Sequence, residues 1–513
     1  MSSSWLSETD VENATTAILI GQVAEESILQ EIEQFPSGVL LISLKTKPHG
    51  SVLKPLQYLD AKASSSTIKE KVTEFLALDY DNPPVVKVSK EVEDSENFDY
   101  STILTSIIRE IDTTLRARRS RNETGFIRQS QVFQNFHNYL NDRVPNEWQS
   151  LGNRSLAVVV GAGPSLDETL PLLEASFPKP IIIATDSSLK ALCDQGITPH
   201  FVVNLDPEKS FQSCSYPNYS PGYAILSSQS HSSWSAKWQK KKALLSGRVV
   251  SEDWLAEKGI SKTSILSINN AGLTALSFAN FLRPAAIMLV GMDLSGGGSG
   301  EKRYAKNTGR SQIEVHALNY HQIPGNYEKV VPTPFFSDWQ ETSEACSRIS
   351  QERLVINLND RGAELEGTTL IHPDGFDDLR EALQENLKPF SEKNLEDLKR
   401  KGISEAGLTQ ILTMLATKCD QIWEKLSSDE EPGFENLPET LTEIFADRDT
   451  ASLLGDFAFS IMPKIVQPDK LAKTELEEIA LQLKQLVWKL EDAIIQTSPS
   501  EEFIRRFILE KFT

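Results

Sequence analysis

The pentapeptide Gly161-Ala162-Gly163-Pro164-Ser165 follows without a break on the apolar run LAVVV at 156–160. A turn that leaves a buried strand and opens a helix offers main-chain N–H groups and the positive end of the helix dipole to an anion. Gly161 permits the sharp exit from the strand. Gly163 lets the backbone approach a ligand oxygen. Pro164 sits near the first helical turn, where a missing N–H costs nothing. Ser165 can cap the helix or donate to a phosphate. The third glycine of the dinucleotide fingerprint is absent, so the pattern points to a phosphate-bearing ligand rather than to a dinucleotide in particular.

Small and acidic residues gather at the ends of other apolar runs. The run at 181–185 leads into Asp186, Ser187 and Ser188. The run at 200–206 carries Asn204 and Asp206, and the one at 285–291 ends in Gly291-Met292-Asp293. Asn269 and Asn270 precede a helix at 271 and can cap it or hydrogen-bond a base or sugar. Asp186 and Ser187 can equally serve as helix caps. Asp206 has no second acidic residue beside it. One carboxylate is too few to hold a hard cation, so no metal site is expected. The stretch 291–310 is glycine-rich and basic and follows a strand end, where lids usually sit. Its Lys302, Arg303, Lys306 and Arg310 can neutralise a diphosphate or a sugar carboxylate. Tyr304 and His316 are candidates for proton transfer, with His231 and His321 as rivals.

These residues need a scaffold, and the periodicity supplies one. Runs at 156–160, 181–185, 200–206, 285–291 and 353–359 are continuously apolar and rich in β-branched residues, as expected of strands buried on both faces. Helical patterns fall between them: one from about Leu166, then 187–194, 271–281 and 338–350. Alternating strands and helices predict an α/β, Rossmann-like domain built on a parallel sheet, with ligands at the carboxyl ends of the strands. Upstream, 17–21, 38–44 and 85–88 read as strands and 23–35 as a helix, a small α/β domain. Ile103, Ile107, Ile108 and Ile111 stand at helical spacing, followed by Arg116, Arg118, Arg119 and Arg121, a solvated face or a contact for an anionic partner. Downstream, Leu408 to Ile422 and Leu476 to Leu490 form amphipathic stripes, separated by a loop at 427–438. The expected domains are 1–115, 116–378 and 379–513, the last of them helical.

Composition bounds the partners. Of 513 residues, 52 are Lys or Arg and 72 are Asp or Glu, a net charge of −20. Such a body is a poor general binder of nucleic acid. No apolar run of about 18 residues exists to span a bilayer. The polar, acidic N-terminus does not read as a secretory signal. The four cysteines, Cys193, Cys214, Cys346 and Cys419, lie far apart without a CxxC pair, as expected of a cytoplasmic protein with reduced thiols.

The motifs GAGPSLDETLPLL, ATDSSLKALCDQGITPHFVVNLDP and VGMDLS, in this order and spacing, resemble the motility accessory factors. These Maf flagellin glycosyltransferases share their core with archaeal 6-hydroxymethylpterin diphosphokinases. The resemblance covers roughly 130–375. It implies a core similar to the bacterial sialyltransferases, with a small α/β domain before it and helices after it. It also implies inverting transfer of a nonulosonic acid, of the pseudaminic or legionaminic type, from a CMP-activated donor to Ser or Thr of flagellin, with no required cofactor. On this resemblance Gly161, Gly163, Pro164 and Ser165 would cradle the CMP phosphate. Asp186, Ser187, Asn204 and Asp206 would line the cleft, and Asn270, Gly272, Gly291 and Asp293 would close it. Tyr304, His316 and Asp206 are then the candidates for the acceptor's proton. Where family members commonly carry Gln after the glycine at 291 and His in the next loop, this chain has Met292 and Lys302-Arg303-Tyr304. Two alternatives stand beside this: a 6-hydroxymethyl-dihydropterin pyrophosphokinase using ATP and Mg²⁺, and a non-catalytic flagellin-binding adaptor.

Overall fold

The computed structural model describes residues 5–7, 14–22, 24–44, 56–79, 82–90, 100–174, 178–219, 222–268, 270–296, 303–310, 321–391, 393–396, 398, 400–427, 436–465 and 471–498. The chain divides into two compact units, Met1–Glu123 and Thr124–Thr513.

The first unit holds β1 (Trp5–Ser7), β2 (Thr16–Ile20), β3 (Gly38–Ser43), β4 (Leu56–Asp60) and β5 (Val85–Ser89), in the order β1-β5-β2-β3-β4. Its strands are parallel except β1, which runs against β5. Alternating side chains feed two apolar layers. Leu19, Val39 and Leu41 pack with Ile28 of helix Glu25–Gln34. Ile18, Ile20, Leu40 and Ile42 pack with Val72 and Phe75 of helix Ser65–Phe75 and with Ile103, Ile107 and Ile111. The side chains of Arg116, Arg118, Arg119 and Arg121 lie outside the described residues.

The second unit is built on a parallel sheet. Its strands are β6 (Leu156–Val160), β7 (Ile181–Thr185), β8 (Phe201–Asn204), β9 (Tyr223–Ser227), β10 (Lys242–Leu245), β11 (Ala286–Val290), β14 (Leu354–Leu358) and β15 (Thr369–Ile371). A hairpin, β12 (His321–Pro324) with β13 (Val330–Thr333), is inserted after β11. The order β10-β9-β8-β7-β6-β11-β14-β15 reverses between β6 and β11. The first five strands step outward to one side of β6, and the chain then returns to lay β11 on its other side. The five sequence-predicted strands are present. Strands β9, β10 and β15 were not predicted; the four-residue β10 opens on Lys242 and β15 has only three residues, too short to show a period.

Period-two alternation fixes which helices cover which face. Val158, Val160, Ala184, Val202, Met288 and Val290 face the layer containing Leu166, Leu189, Leu192, Trp234 and Trp254. Ala157, Val159, Ile183, Val203, Ile287 and Leu289 face helices Ala271–Phe281 and Phe336–Ser350. The boundary expected at 378/379 does not separate compact units. Helices Glu405–Ser427, Leu437–Ala446, Arg448–Ile465 and Lys473–Thr497 put their stripes into the same apolar cluster as the first face of the sheet. Helix Arg448–Ile465 bends at Gly455, at φ 44° and ψ −116°, a conformation open to glycine. A Cβ there would lie 2.6 Å from Gln129 Oε1. The bend lays the helix on helix Val250–Glu257.

Helix Val250–Glu257 carries a buried ionisable group. Glu252 is 1% exposed beyond the ends of β9 and β10; it accepts hydrogen bonds from Gly247 N (2.7 Å) and from the Ser228 hydroxyl. Burial pushes its carboxyl up to about 7, against the opposing hydrogen bonds from Ser228 and Gly247. Between about pH 4.5 and 7 the unfolded chain ionises Glu252 while the folded chain keeps the proton, so folding stability falls as pH rises through this window. At about 1.4 kcal/mol per unit the loss amounts to about 3 kcal/mol. Glu252→Gln is therefore expected to flatten the stability–pH profile between pH 5 and 7, measured by urea unfolding. A profile identical to that of the unmutated chain would contradict this.

Candidate functional site

The carboxyl ends of β6 and β11 flank the point where strand order reverses, the place where open α/β sheets receive ligands. The glycine turn and Asp293 meet there, in a tighter arrangement than the sequence suggests. Gly161 N donates to Val290 O and Gly163 N to Gly291 O, both at 2.8 Å. Ser165 N donates to Asp293 Oδ2 at 2.7 Å, and Asn359 Nδ2, beyond β14, donates to Asp293 Oδ1 at 2.8 Å. Asp293 is 1% exposed, and burial raises its carboxyl above the usual range. A Cβ on Gly163 would lie 2.4 Å from Asp293 Oδ2, one on Gly161 2.3 Å from Gly291 O, and one on Gly272 2.8 Å from Met292 Cε.

The phosphate-cradle assignment of Gly161, Gly163, Pro164 and Ser165 is corrected accordingly. Three of the turn's N–H groups are spent on protein acceptors. Pro164 has none. Ser165 is fully buried, and its side chain does not cap the following helix. That helix, Leu166–Thr169, is a single turn running into a 3₁₀ segment, too short to gather a useful dipole. The N–H of Ala162 has no acceptor among the described residues. Gly291 and Asp293 likewise lock two strand ends together rather than lining an open cleft. Asn270 caps helix Ala271–Phe281, its Oδ1 accepting from Leu273 N at 2.7 Å.

The strand ends of β7 and β8 are organised differently. Asp186 is 2% exposed, and neither it nor Ser187 caps the helix that follows. Its Oδ1 accepts from Ser187 N (2.6 Å) and Ser187 Oγ (3.1 Å), and its Oδ2 accepts from Asn204 Nδ2 at 2.8 Å. Lys209 Nζ stands 3.9 Å from Asp186 Oδ2 and 3.4 Å from Asp206 Oδ2. The lysine therefore bridges the two carboxylates. Asp186 above all, then Asp206 and Tyr304, hold the Lys209 ammonium above its usual range, against burial and the nearby Arg310. Asp206 stays partly open, its side chain 34% exposed against 3% for Asp186. His231 caps helix Ser232–Lys237, its Nδ1 accepting from Ser233 N at 3.2 Å, while its main-chain N–H donates to Asp206 O at 3.1 Å; burial lowers its imidazole. His321 lies in the β12–β13 hairpin, its ring against Phe336. His316, Lys302 and Asn269 fall outside the described residues.

Residues 303–310 form a strap over this edge. Ala305 N donates to Ala162 O at 3.0 Å, tying the strap to the glycine turn, and Lys306 N donates to Asp167 Oδ1 at 3.0 Å. Arg310 Nη2 lies 2.7 Å from Cys214 Sγ, and burial pushes that thiol up to about 11. At the other end the Arg303 guanidinium lies over the Phe335 ring at 4.4 Å and the Tyr304 ring at 5.6 Å. Arg303 also faces Asp338, whose carboxyl burial raises, against a hydrogen bond from Asn270 and the Arg303 charge. Sequence reasoning found Asp186, Asn204, Asp206, Tyr304, Arg303 and Arg310, and the fold brings them to one edge. It missed Lys209 and Asp338. The signal for Lys209 was its place three residues after Asp206, in the loop leaving β8.

Residues 130–297, which contain β6 to β11 and the reversal of strand order, match the family model described as 6-hydroxymethylpterin diphosphokinase MptE-like. Among solved structures the whole chain is similar to a Maf glycosyltransferase from Magnetospirillum magneticum AMB-1, at 16% identity and a TM-score of 0.46, covering 99% of this chain and 84% of that one. None of the curated proteins matches the chain in sequence. No helix among the described residues is long and apolar enough to cross a membrane.

Within the parallel-sheet unit the close fit of Gly163 to Asp293 yields a direct test. Gly163→Ala forces the buried carboxylate off Ser165 N and is expected to cost about 2 kcal/mol or more. Gly375→Ala, whose Cβ would meet nothing nearer than 3.9 Å, should stay within about 0.5 kcal/mol. Equal losses in urea unfolding would refute the brace.

Proposed function

We propose that the protein transfers a nonulosonic acid, of the pseudaminic or legionaminic type, from a CMP-activated donor to Ser or Thr hydroxyls of flagellin, serving flagellum assembly and motility from the cytoplasm. The observation that carries this reading is the strand edge at which Lys209 is held between Asp186 and Asp206, with Tyr304 and Arg310 of the strap beside it. The motif resemblance at 161–173, 184–207 and 290–295 supplies the reaction class.

In the proposed step the bond between the anomeric carbon and the phosphate oxygen breaks, and CMP leaves with the electron pair. The acceptor hydroxyl oxygen bonds to that carbon from the opposite face, inverting it, and gives up its proton. Developing charge on the departing phosphate is met by Lys209 and Arg310, fixed before the reaction begins. Asp206, the more open of the two carboxylates, is the described residue best placed to take the proton, with Tyr304 beside the same lysine. Asp186 is a positioning residue: it orients Asn204 and keeps Lys209 charged. The reaction so written calls for no bound cofactor.

The MptE-like match of residues 130–297 favours one second reading, diphosphate transfer from ATP with Mg²⁺ to a hydroxymethyl-pterin. Thermal stabilisation separates the two. CMP is expected to raise the melting temperature and ATP with Mg²⁺ to leave it unchanged. The reverse would favour the kinase, and stabilisation by neither, with flagellin still co-purifying, the adaptor. Lys209→Ala is expected to weaken CMP binding tenfold or more. Intact flagellin from cells lacking the protein should be lighter by whole sugar residues; an unchanged mass would overturn the transferase reading.

A further inference from the structure

The loop leaving β9 folds back onto the loop leaving β8. His231 N donates to Asp206 O at 3.1 Å, and Ser230 Oγ donates to Asn204 O at 2.6 Å. Helix Tyr100–Gln134 ties the same two loops together: Gln131 Nε2 donates to Pro207 O at 3.2 Å, and Gln131 Oε1 accepts from Ser232 N at 2.8 Å. His231 is therefore fixed beside Asp206, and its imidazole is half-buried.

One protonation pattern of that ring fits its neighbours. Ser233 N, a main-chain donor that cannot accept, lies 3.2 Å from Nδ1. Ser233 Oγ already accepts from Phe211 N at 2.9 Å, which leaves its O–H to donate to the same Nδ1, also at 2.9 Å. A proton on Nδ1 would collide with the Ser233 N–H. Nδ1 is thus an acceptor, and the single proton of the neutral ring sits on Nε2. Among the described residues the ring's hydrogen bonds are all at Nδ1, so the Nε2–H is unspent. Burial opposes a second proton and outweighs Asp206, the charged group that acts on the ring; Gln131, from the helix packed on the loop, is neutral. A donor set beside a carboxylate matches a hydroxyl, which gives one hydrogen bond and accepts another.

We propose that His231 serves the transfer as a neutral hydrogen-bond donor: its Nε2–H holds the oxygen of the acceptor hydroxyl while Asp206 takes the proton. The acceptor O–H bond breaks toward the Asp206 carboxylate, the oxygen bonds to the anomeric carbon, and CMP leaves with the electron pair. His231 neither gives nor takes a proton. It touches the substrate without being the base that a histidine in such a place usually is. This role rests on the glycosyl-transfer reading above; the tautomer does not.

Two variants of the full-length protein separate donor from base. His231→Asn keeps an acceptor near the place of Nδ1 and a good helix cap, but is too short to carry the donor. His231→Gln carries a neutral N–H about as far out as Nε2 and cannot take up a proton. Transfer from the CMP-activated donor to flagellin, measured per folded protein, is expected to fall about tenfold in His231→Asn and to stay within about threefold of the unmutated rate in His231→Gln. Calorimetry should find CMP affinity within about twofold in both, because the acceptor hydroxyl is no part of CMP. Nitrogen-15 NMR of the histidine-labelled protein, with the His231 signal identified among seven histidines by its loss in either variant, should show a protonated Nε2 and a bare Nδ1 at pH 7.5. A proton on Nδ1, an undiminished rate in His231→Asn, a rate in His231→Gln as low as in His231→Asn, or loss of CMP binding in either variant overturns the assignment and leaves the transferase reading standing. An unmutated protein that neither binds CMP nor transfers sugar overturns both.

Discussion

Asp293 holds the working edge of the protein in place. Its buried carboxylate joins the turn after β6, through Ser165 N, to the segment after β14, through Asn359 Nδ2. A buried acid without partners would be costly, so these donors have to stay where they are. The demand fixes the course of the glycine turn at the reversal of strand order, and the turn in turn provides the carbonyl of Ala162 on which the strap rests. Every other candidate group is placed relative to that frame.

The consequence for function is a division between rigid and accessible parts. The glycines that look like a phosphate cradle serve close packing instead: the space of their missing side chains is filled by Gly291 O, Asp293 and Met292. The more accessible charged groups stand one and two strands over, at β7 and β8, where Asp186 is buried and hydrogen-bonded while Asp206 and Lys209 keep some exposure. The lysine between two carboxylates keeps the edge from being a bare acidic pocket on a protein of net charge −20. Local arrangement of charge, rather than the total, governs what such an edge attracts.

The helices after residue 376 belong to the same body as the sheet. Their stripes complete the cover over one face, and the bend at Gly455 lets one of them reach helix Val250–Glu257 beyond the ends of β9 and β10. The burial of Glu252 on helix Val250–Glu257, against Ser228 and Gly247, makes stability depend on pH.

The sequence alone determined the α/β class, the long buried strands and the amphipathic helices. Each is a local pattern: LAVVV and IIIAT are short, β-branched apolar runs of the kind a strand covered on both sides needs, and the stripes at 408–422 and 476–490 have the helical period. It also put Asp186, Asn204 and Asp206 at strand ends. Tertiary structure decided the rest. Whether the N–H groups of a GxG turn face a ligand or the protein depends on what the neighbouring strand delivers, and Asp293 arrives there from a distant part of the chain. Lys209 carries no motif; its role appears only when β7 and β8 lie side by side and bring Asp186 within reach. The strap's two-sided placement of Arg303 and Arg310 is set by helices on opposite faces of the sheet, and no spacing along the chain records which face a helix will cover.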